Sequence, residues 1–206
     1  NAVLVNGEGQ IPHSVASTGK IVREELTAGY DYIVGDATPA YGKRMERALR
    51  HVVFVKGSRP FIVLYDELVA AEPATFQFML HGLSAFKIEA EAARLKIEQP
   101  KAALEVAYLS PVKLSFKQTD GFEPKPTREF PNHWHVEAGT TEKRKEIGVV
   151  TVLMPQRTGA APTWTAKRSE EREGTLVEVT VGGRTHTVRF PRAGSEGTAQ
   201  VKLAGL

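Results

Sequence analysis

The 206-residue sequence has no cysteine. That excludes disulfide staples, cysteine-ligated zinc and a thiol nucleophile. No apolar run approaches the roughly 20 residues that a membrane-crossing helix needs, so no membrane is expected as a partner. Aromatic residues are sparse, at 8%. Neither sign of charge dominates: 27 Lys+Arg face 24 Asp+Glu, a net charge of +3. Dedicated nucleic-acid binders carry a denser basic stripe, so nucleic acid is not an expected partner either. The charges mix signs, as in Lys167-Arg168-Ser169-Glu170-Glu171-Arg172-Glu173. Such a pattern is a solvated surface or turn, or a weakly positive face suited to an acidic ligand such as an anionic polysaccharide. There is no phosphate-cradling glycine loop, no nucleophile elbow and no His-Glu-x-x-His helix.

What is present is an ordinary globular composition, 41% hydrophobic and 25% charged. A chain of this length buries a sizeable core without staples. Eighteen glycines and twelve prolines are scattered along it, which points to many turns. The dominant hydrophobic period is two. Val3-Leu4-Val5, Lys20 to Leu26, Tyr30 to Val34 and Pro60 to Leu68 read as strands, the last ending in acids. Ala74 to Leu83 alternates cleanly, and similar runs recur to Ala199–Leu203. Met45 to Val55 is mixed: its first half is compatible with a helix, its second half is β-branched. Val181-Gly182-Gly183-Arg184 is a hairpin signal. Two loops stand out, Thr119 to Asn132 (with Gly121, Pro124, Pro126 and Pro131) and Pro155 to Pro162. About fifteen short strands with turn signals every 8–12 residues predict an all-β fold, a large antiparallel β-sandwich of stacked sheets. The chain reads as a single domain over 1–206. It opens Asn-Ala-Val-Leu-Val, within strand-like sequence and without methionine, and so reads as a piece of something longer.

Candidate chemistry concentrates in few places. Phe130-Pro131-Asn132-His133-Trp134-His135-Val136-Glu137 is the most suggestive string. On a strand, His133, His135 and Glu137 share a face, with neighbours about 6.5–7 Å apart. His133 and His135 can then reach one metal ion, or are simply polar residues on a half-exposed strand. Asp36 follows a strand and opens an irregular segment containing Tyr41. It either caps a turn through the amide of Thr38 or forms a carboxylate–tyrosine pair facing a ligand. His81 ends a strand, as a packed hydrogen-bonder or as a ligand contact. Arg44, Arg47 and Arg50 recur every third residue and line one face of a helical turn to hold an anion, or are solvated. His13, His51 and His186 have no nameable partner, and Trp134 and Trp164 are candidates for stacking on sugar rings.

Several strings in order resemble the heparinase II/III-like polysaccharide lyases. They are Asn1-Ala2-Val3-Leu4-Val5-Asn6-Gly7-Glu8-Gly9-Gln10, Gly35-Asp36-Ala37-Thr38-Pro39-Ala40-Tyr41, Arg47-x-x-Arg50-x-Val52-Val53-Phe54, Phe61 to Leu68, and Phe76 to His81. The resemblance covers residues 1–155; residues 156–206, the C-terminal strands, match no quotable string. It implies an upstream α/α toroid in the same protein, of which this chain is the C-terminal β-sheet part. It also implies β-elimination on a uronic-acid-containing anionic polysaccharide, in a periplasmic or secreted protein. A base removes the C5 proton, the adjacent carboxylate is neutralised, and a Tyr or His protonates the leaving sugar. The family's base and neutralising residues lie mostly on the toroid, so the isolated chain is expected to be inactive. The resemblance also implies zinc or another divalent metal, with ligands mostly outside this chain; one would be a His immediately before Asn1. Asp36, Tyr41 and His81 fall within matching strings as substrate-binding candidates. Two other readings stay open: a non-catalytic carbohydrate-binding or interaction module, and a metal enzyme similar to the cupins built on His133 and His135. The cupin pattern sets its acid and flanking glycines at spacings that this sequence lacks.

Overall fold

A computed structural model describes residues 1–123, 125–159, 163–195 and 197–204. Pro124, in the first of the two long loops, and residues 160–162, in the second, lie outside the described residues. The described residues form sixteen strands: β1 (Val3–Val5), β2 (Lys20–Leu26), β3 (Tyr30–Asp36), β4 (Met45–Val55), β5 (Phe61–Ala74), β6 (Phe76–Gly82), β7 (Lys87–Glu89), β8 (Arg94–Glu98), β9 (Ala102–Leu109), β10 (Leu114–Asp120), β11 (Trp134–Thr140), β12 (Arg144–Arg157), β13 (Trp164–Glu171), β14 (Gly174–Val181), β15 (Arg184–Pro191) and β16 (Gln200–Lys202). Short 3-10 segments at Thr38–Arg44 and Ala90–Ala92 are the only helical pieces among them. No helix of the described residues is long and apolar enough to cross a membrane.

The strands make three antiparallel sheets. Sheet A runs β1-β6-β11-β10, sheet B runs β2-β3-β4-β5-β12-β9-β8-β7, and sheet C runs β13-β14-β15-β16. Two apolar cores separate them. Val3, Val5, Phe76, Phe78, Val136 and Ala138 of sheet A meet Leu68, Ala70, Val106, Ile147 and Val149 of sheet B. Phe61, Val63, Tyr65, Val150, Val152 and Met154 of sheet B meet Trp164, Val177, Val179, Val188 and Phe190 of sheet C. Sheet B is therefore the middle layer. Its central strands bury both faces, which is why β5 and β12 read as near-continuous apolar runs while outer strands alternate. The all-β stack of sheets expected from the sequence is the observed architecture.

Three local features depart from or sharpen the sequence reading. Met45 to Leu49 is strand, not helix: β4 pairs with β5 along its whole length, and this pairing overrides the helix-compatible spacing. Arg44, Arg47 and Arg50 consequently do not share a helical face. Gly182 and Gly183 form the expected two-residue hairpin turn, with φ of 56° and 78° between the paired Val181 and Arg184. Gly148 of β12 lies beneath the ring of Tyr65, which stacks on Phe190 with centroids 5.0 Å apart. A Cβ at Gly148 would lie 2.6 Å from the Tyr65 hydroxyl.

Candidate functional site

A cleft of about 380 Å³ opens where β1 meets the end of β3 and the middle of β4 and β5. Asp36, Tyr41, Arg50 and Asp66 line it. Antiparallel register places Arg50 of β4 directly opposite Asp66 of β5. The guanidinium grips the carboxylate at two points, Nε to Oδ1 at 2.6 Å and Nη2 to Oδ2 at 2.9 Å. Such forked pairs combine charge with fixed geometry. Burial acts to lower the Arg50 pKa, but attraction to Asp66 and the hydrogen bonds to it outweigh burial and raise it. The remaining Nη1 donates to the backbone carbonyl of Asn1 at 2.7 Å. Both Asp66 oxygens thus accept from Arg50, and Arg50 in turn holds the residue that precedes the first strand.

Asn1 joins two layers. Its carbonyl accepts from Arg50 on sheet B, while its side-chain Oδ1 accepts from the backbone N–H of His81 on sheet A at 3.0 Å. Its backbone nitrogen lies 3.0 Å from Nδ1 of His81. His81 stands opposite His135 across β6 and β11, their rings edge to face with centroids 4.6 Å apart. Nε2 of His135 lies 2.6 Å from the Gly121 carbonyl. His133 precedes β11 and packs, like His135, against Phe122. Burial lowers the His81 pKa, as do the neighbouring His135 and His133.

Asp36 caps a turn: its Oδ1 accepts from the Thr38 amide at 2.9 Å. Tyr41 is buried, and its hydroxyl donates to the Val3 carbonyl at 2.7 Å. Burial raises its pKa. So Asp36 and Tyr41 border one cleft without bonding to each other, and His81 reaches that cleft only through Asn1. Arg50 and Asp66 are the residues that the sequence reading did not join. The signal was present, as a charged pair inside the apolar run Phe61 to Leu68 and an arginine in the facing strand.

On the opposite face of sheet B, Glu67 accepts from Arg47 Nη1 at 2.8 Å and from the Gly194 amide at 2.9 Å. Burial acts to raise the Glu67 pKa, but contacts with His51, Gly194 and Arg47 outweigh it and lower it. His51 has a named partner after all: its Nδ1 lies 2.8 Å from the Tyr32 hydroxyl. Trp164 is 5% exposed; its Nε1 donates to Glu105 at 2.6 Å, and Arg94 covers its ring. It is closed to sugar stacking.

The donor set does not assemble a metal centre by itself. Among the described residues no group of three or more His, Asp or Glu is arranged to hold an ion. Asp66 is bound to Arg50, and His135 to a carbonyl.

No protein-family model matches the sequence, and no curated protein matches it. Solved structures do. A heparinase III structure superposes with a TM-score of 0.73 at 16% identity, over 93% of this chain and 30% of that one. The heparan sulfate lyase HepC from Pedobacter heparinus superposes with a TM-score of 0.72 at 13% identity, over 95% of this chain and 31% of that one. A further heparinase III structure gives 0.68 at 16% identity. The chain therefore has the fold of one part of these structures and spans about 30% of their length.

Proposed function

We propose that this chain is the β-sheet part of a polysaccharide lyase that cleaves uronic-acid-containing anionic polysaccharides by β-elimination. The observation that carries the reading is the superposition of nearly the whole chain on part of structures named heparinase III and heparan sulfate lyase. The ordered strings from Asn1 to His81 point the same way. The remaining two thirds of such a protein would include the upstream α/α toroid, and the setting is the periplasm or the outside of the cell.

The chemistry divides accordingly. Removing the C5 proton needs a base with a free lone pair beside the substrate. Tyr41 does not supply it, because its hydroxyl is buried and bonded to Val3. The base and the groups that neutralise the uronate carboxylate belong to residues outside this chain. What these 206 residues do is hold a wall. Arg50 fixes the Asn1 carbonyl, Asp66 fixes Arg50, and His81 fixes the Asn1 side chain, so whatever precedes Asn1 leaves from a set position. A divalent metal, where the whole protein holds one, draws its ligands mostly from beyond this chain.

The test is ultraviolet absorbance of the unsaturated product, with heparan sulfate, heparin, hyaluronan and alginate offered in turn. The longer protein is expected to release product from at least one of them, and the 206-residue chain from none. Silence of the longer protein on all four overturns the lyase reading. Product from the 206-residue chain alone overturns the division of labour.

A further inference from the structure

A second cleft, of about 420 Å³, lies at the far end of the strands that form the first. Tyr30 and Val55 pair at this end and Asp36 and Leu49 at the other, six residues along β3, or about 20 Å. Its walls come from two sheets. The β4–β5 connection brings Lys56 and Arg59, and the β14–β15 hairpin brings Gly182, Arg184 and His186, with Leu203 below. No carboxylate is among the described residues that line it.

The charges are unevenly used. Lys56 is spent: its Nζ lies 2.6 Å from Asp31 Oδ1 and donates to the Thr27 carbonyl at 2.7 Å. Arg59 and Arg184 are exposed and make no ion pair or hydrogen bond with the described residues. Arg59 brings Nη1 so close to Gly182 that a Cβ there would overlap its guanidinium. A side chain in the turn would displace Arg59; glycine lets it reach across from sheet B to sheet C. Arg184 and His186 are two apart on β15 and so point to the same side, that of the buried Val188 and Phe190. His186 packs edge-on against Phe61 with centroids 5.4 Å apart. Its Nδ1 is buried and has no hydrogen-bond partner among the described residues. Burial, then the charge of Arg184, lowers its pKa. Among the described residues, two guanidinium groups without partners, one from each of two sheets around one cleft with no lining carboxylate, are donors lacking an acceptor.

We infer that this cleft binds an oxyanion, a sulfate or a carboxylate, between Arg59 and Arg184; that the anion belongs to an acidic sugar rests on the function proposed above. Planar guanidinium forks suit such groups, and two of them from different sheets fix one anion between them. The site lies apart from the first cleft and needs no turnover, so it acts as a separate hold on a long anionic chain.

The experiment is a titration of the isotope-labelled 206-residue chain, followed by backbone amide resonances. The probes are a heparin-derived tetrasaccharide, an unsulfated alginate tetramer and inorganic sulfate. Saturable shifts at Gly57, Gly182 and Gly183 are expected with the tetrasaccharide. Shifts with alginate as well mark a site that accepts either anion; shifts only with the sulfated probes mark a sulfate site. The Arg59→Gln/Arg184→Gln variant is expected to weaken binding about tenfold or more at an unchanged melting temperature. Absence of saturation with every probe, shifts confined to the Asn1–His81 end, or undiminished binding by that variant overturns the inference. Because no product is measured, a longer protein that cleaves nothing leaves this result intact, and the reverse also holds.

Discussion

Asp66 and Glu67 are neighbours in β5 whose side chains leave opposite faces of sheet B, and each takes one arginine from β4. The Asp66 side chain is 4% exposed. Arg50→Ala strands that carboxylate, and a loss of about 3 kcal/mol is expected from urea unfolding. Arg50→Lys keeps the charge but not the fork, so it should fall between the two. Gly148→Ala drives a methyl into Tyr65 in a layer already closed by Phe190, and should cost about 1–3 kcal/mol in the same measurement. The sequence offered the turn cap as one of two readings of Asp36, because that bond is local, two residues away. It did not show the Arg50–Asp66 pair or the His81–His135 contact. Both depend on strand register, and register is fixed by two buried faces at once rather than by any short string.

At the scale of elements, the strands were legible and the one mixed segment was not. The spacing from Met45 to Leu49 suits a helix, yet β5 offers a pairing partner along the whole of β4 and β3 joins from Leu49 onward, and the strand buries Ala48 toward one core and Val53 toward the other. The hairpin at Gly182-Gly183 was readable because only residues tolerant of positive φ serve in so short a turn. Gly183 has open space for a side chain, so its constraint is backbone conformation alone. Gly183→Ala should cost about 1 kcal/mol and Gly183→Asn less, as thermal melting of the two variants will show.

For the molecule as a whole, acid is the informative variable. His81 and His186 both have pKa values lowered in the fold. Below their ordinary value near 6.5 the unfolded chain therefore binds more protons than the folded one. The contribution of these two histidines should be constant above that pH and fall as it drops through 6.5 toward the folded values. Glu67, with its lowered pKa, adds a further loss only at lower pH, as the solution passes its unfolded and then its folded value. Urea midpoints between pH 7.5 and 5.5 will show the first effect, and the double variant His81→Gln/His186→Gln should flatten it. An unchanged slope in that variant would assign the effect to other groups.

The order in which the chain visits its layers bears on how it assembles. β1 belongs to sheet A, β2–β5 to sheet B, β6 to A, β7–β9 to B, β10 and β11 to A, and β12 to B again. Neither of these sheets can be completed while the other is missing, so they must condense together around distant contacts, which makes for slow folding. Sheet C is a meander of four successive strands. It can zip up locally and settle onto a finished platform, and it can lift away as a unit. Amide hydrogens in β13–β16 should then exchange with solvent together and sooner than those of β5 and β12.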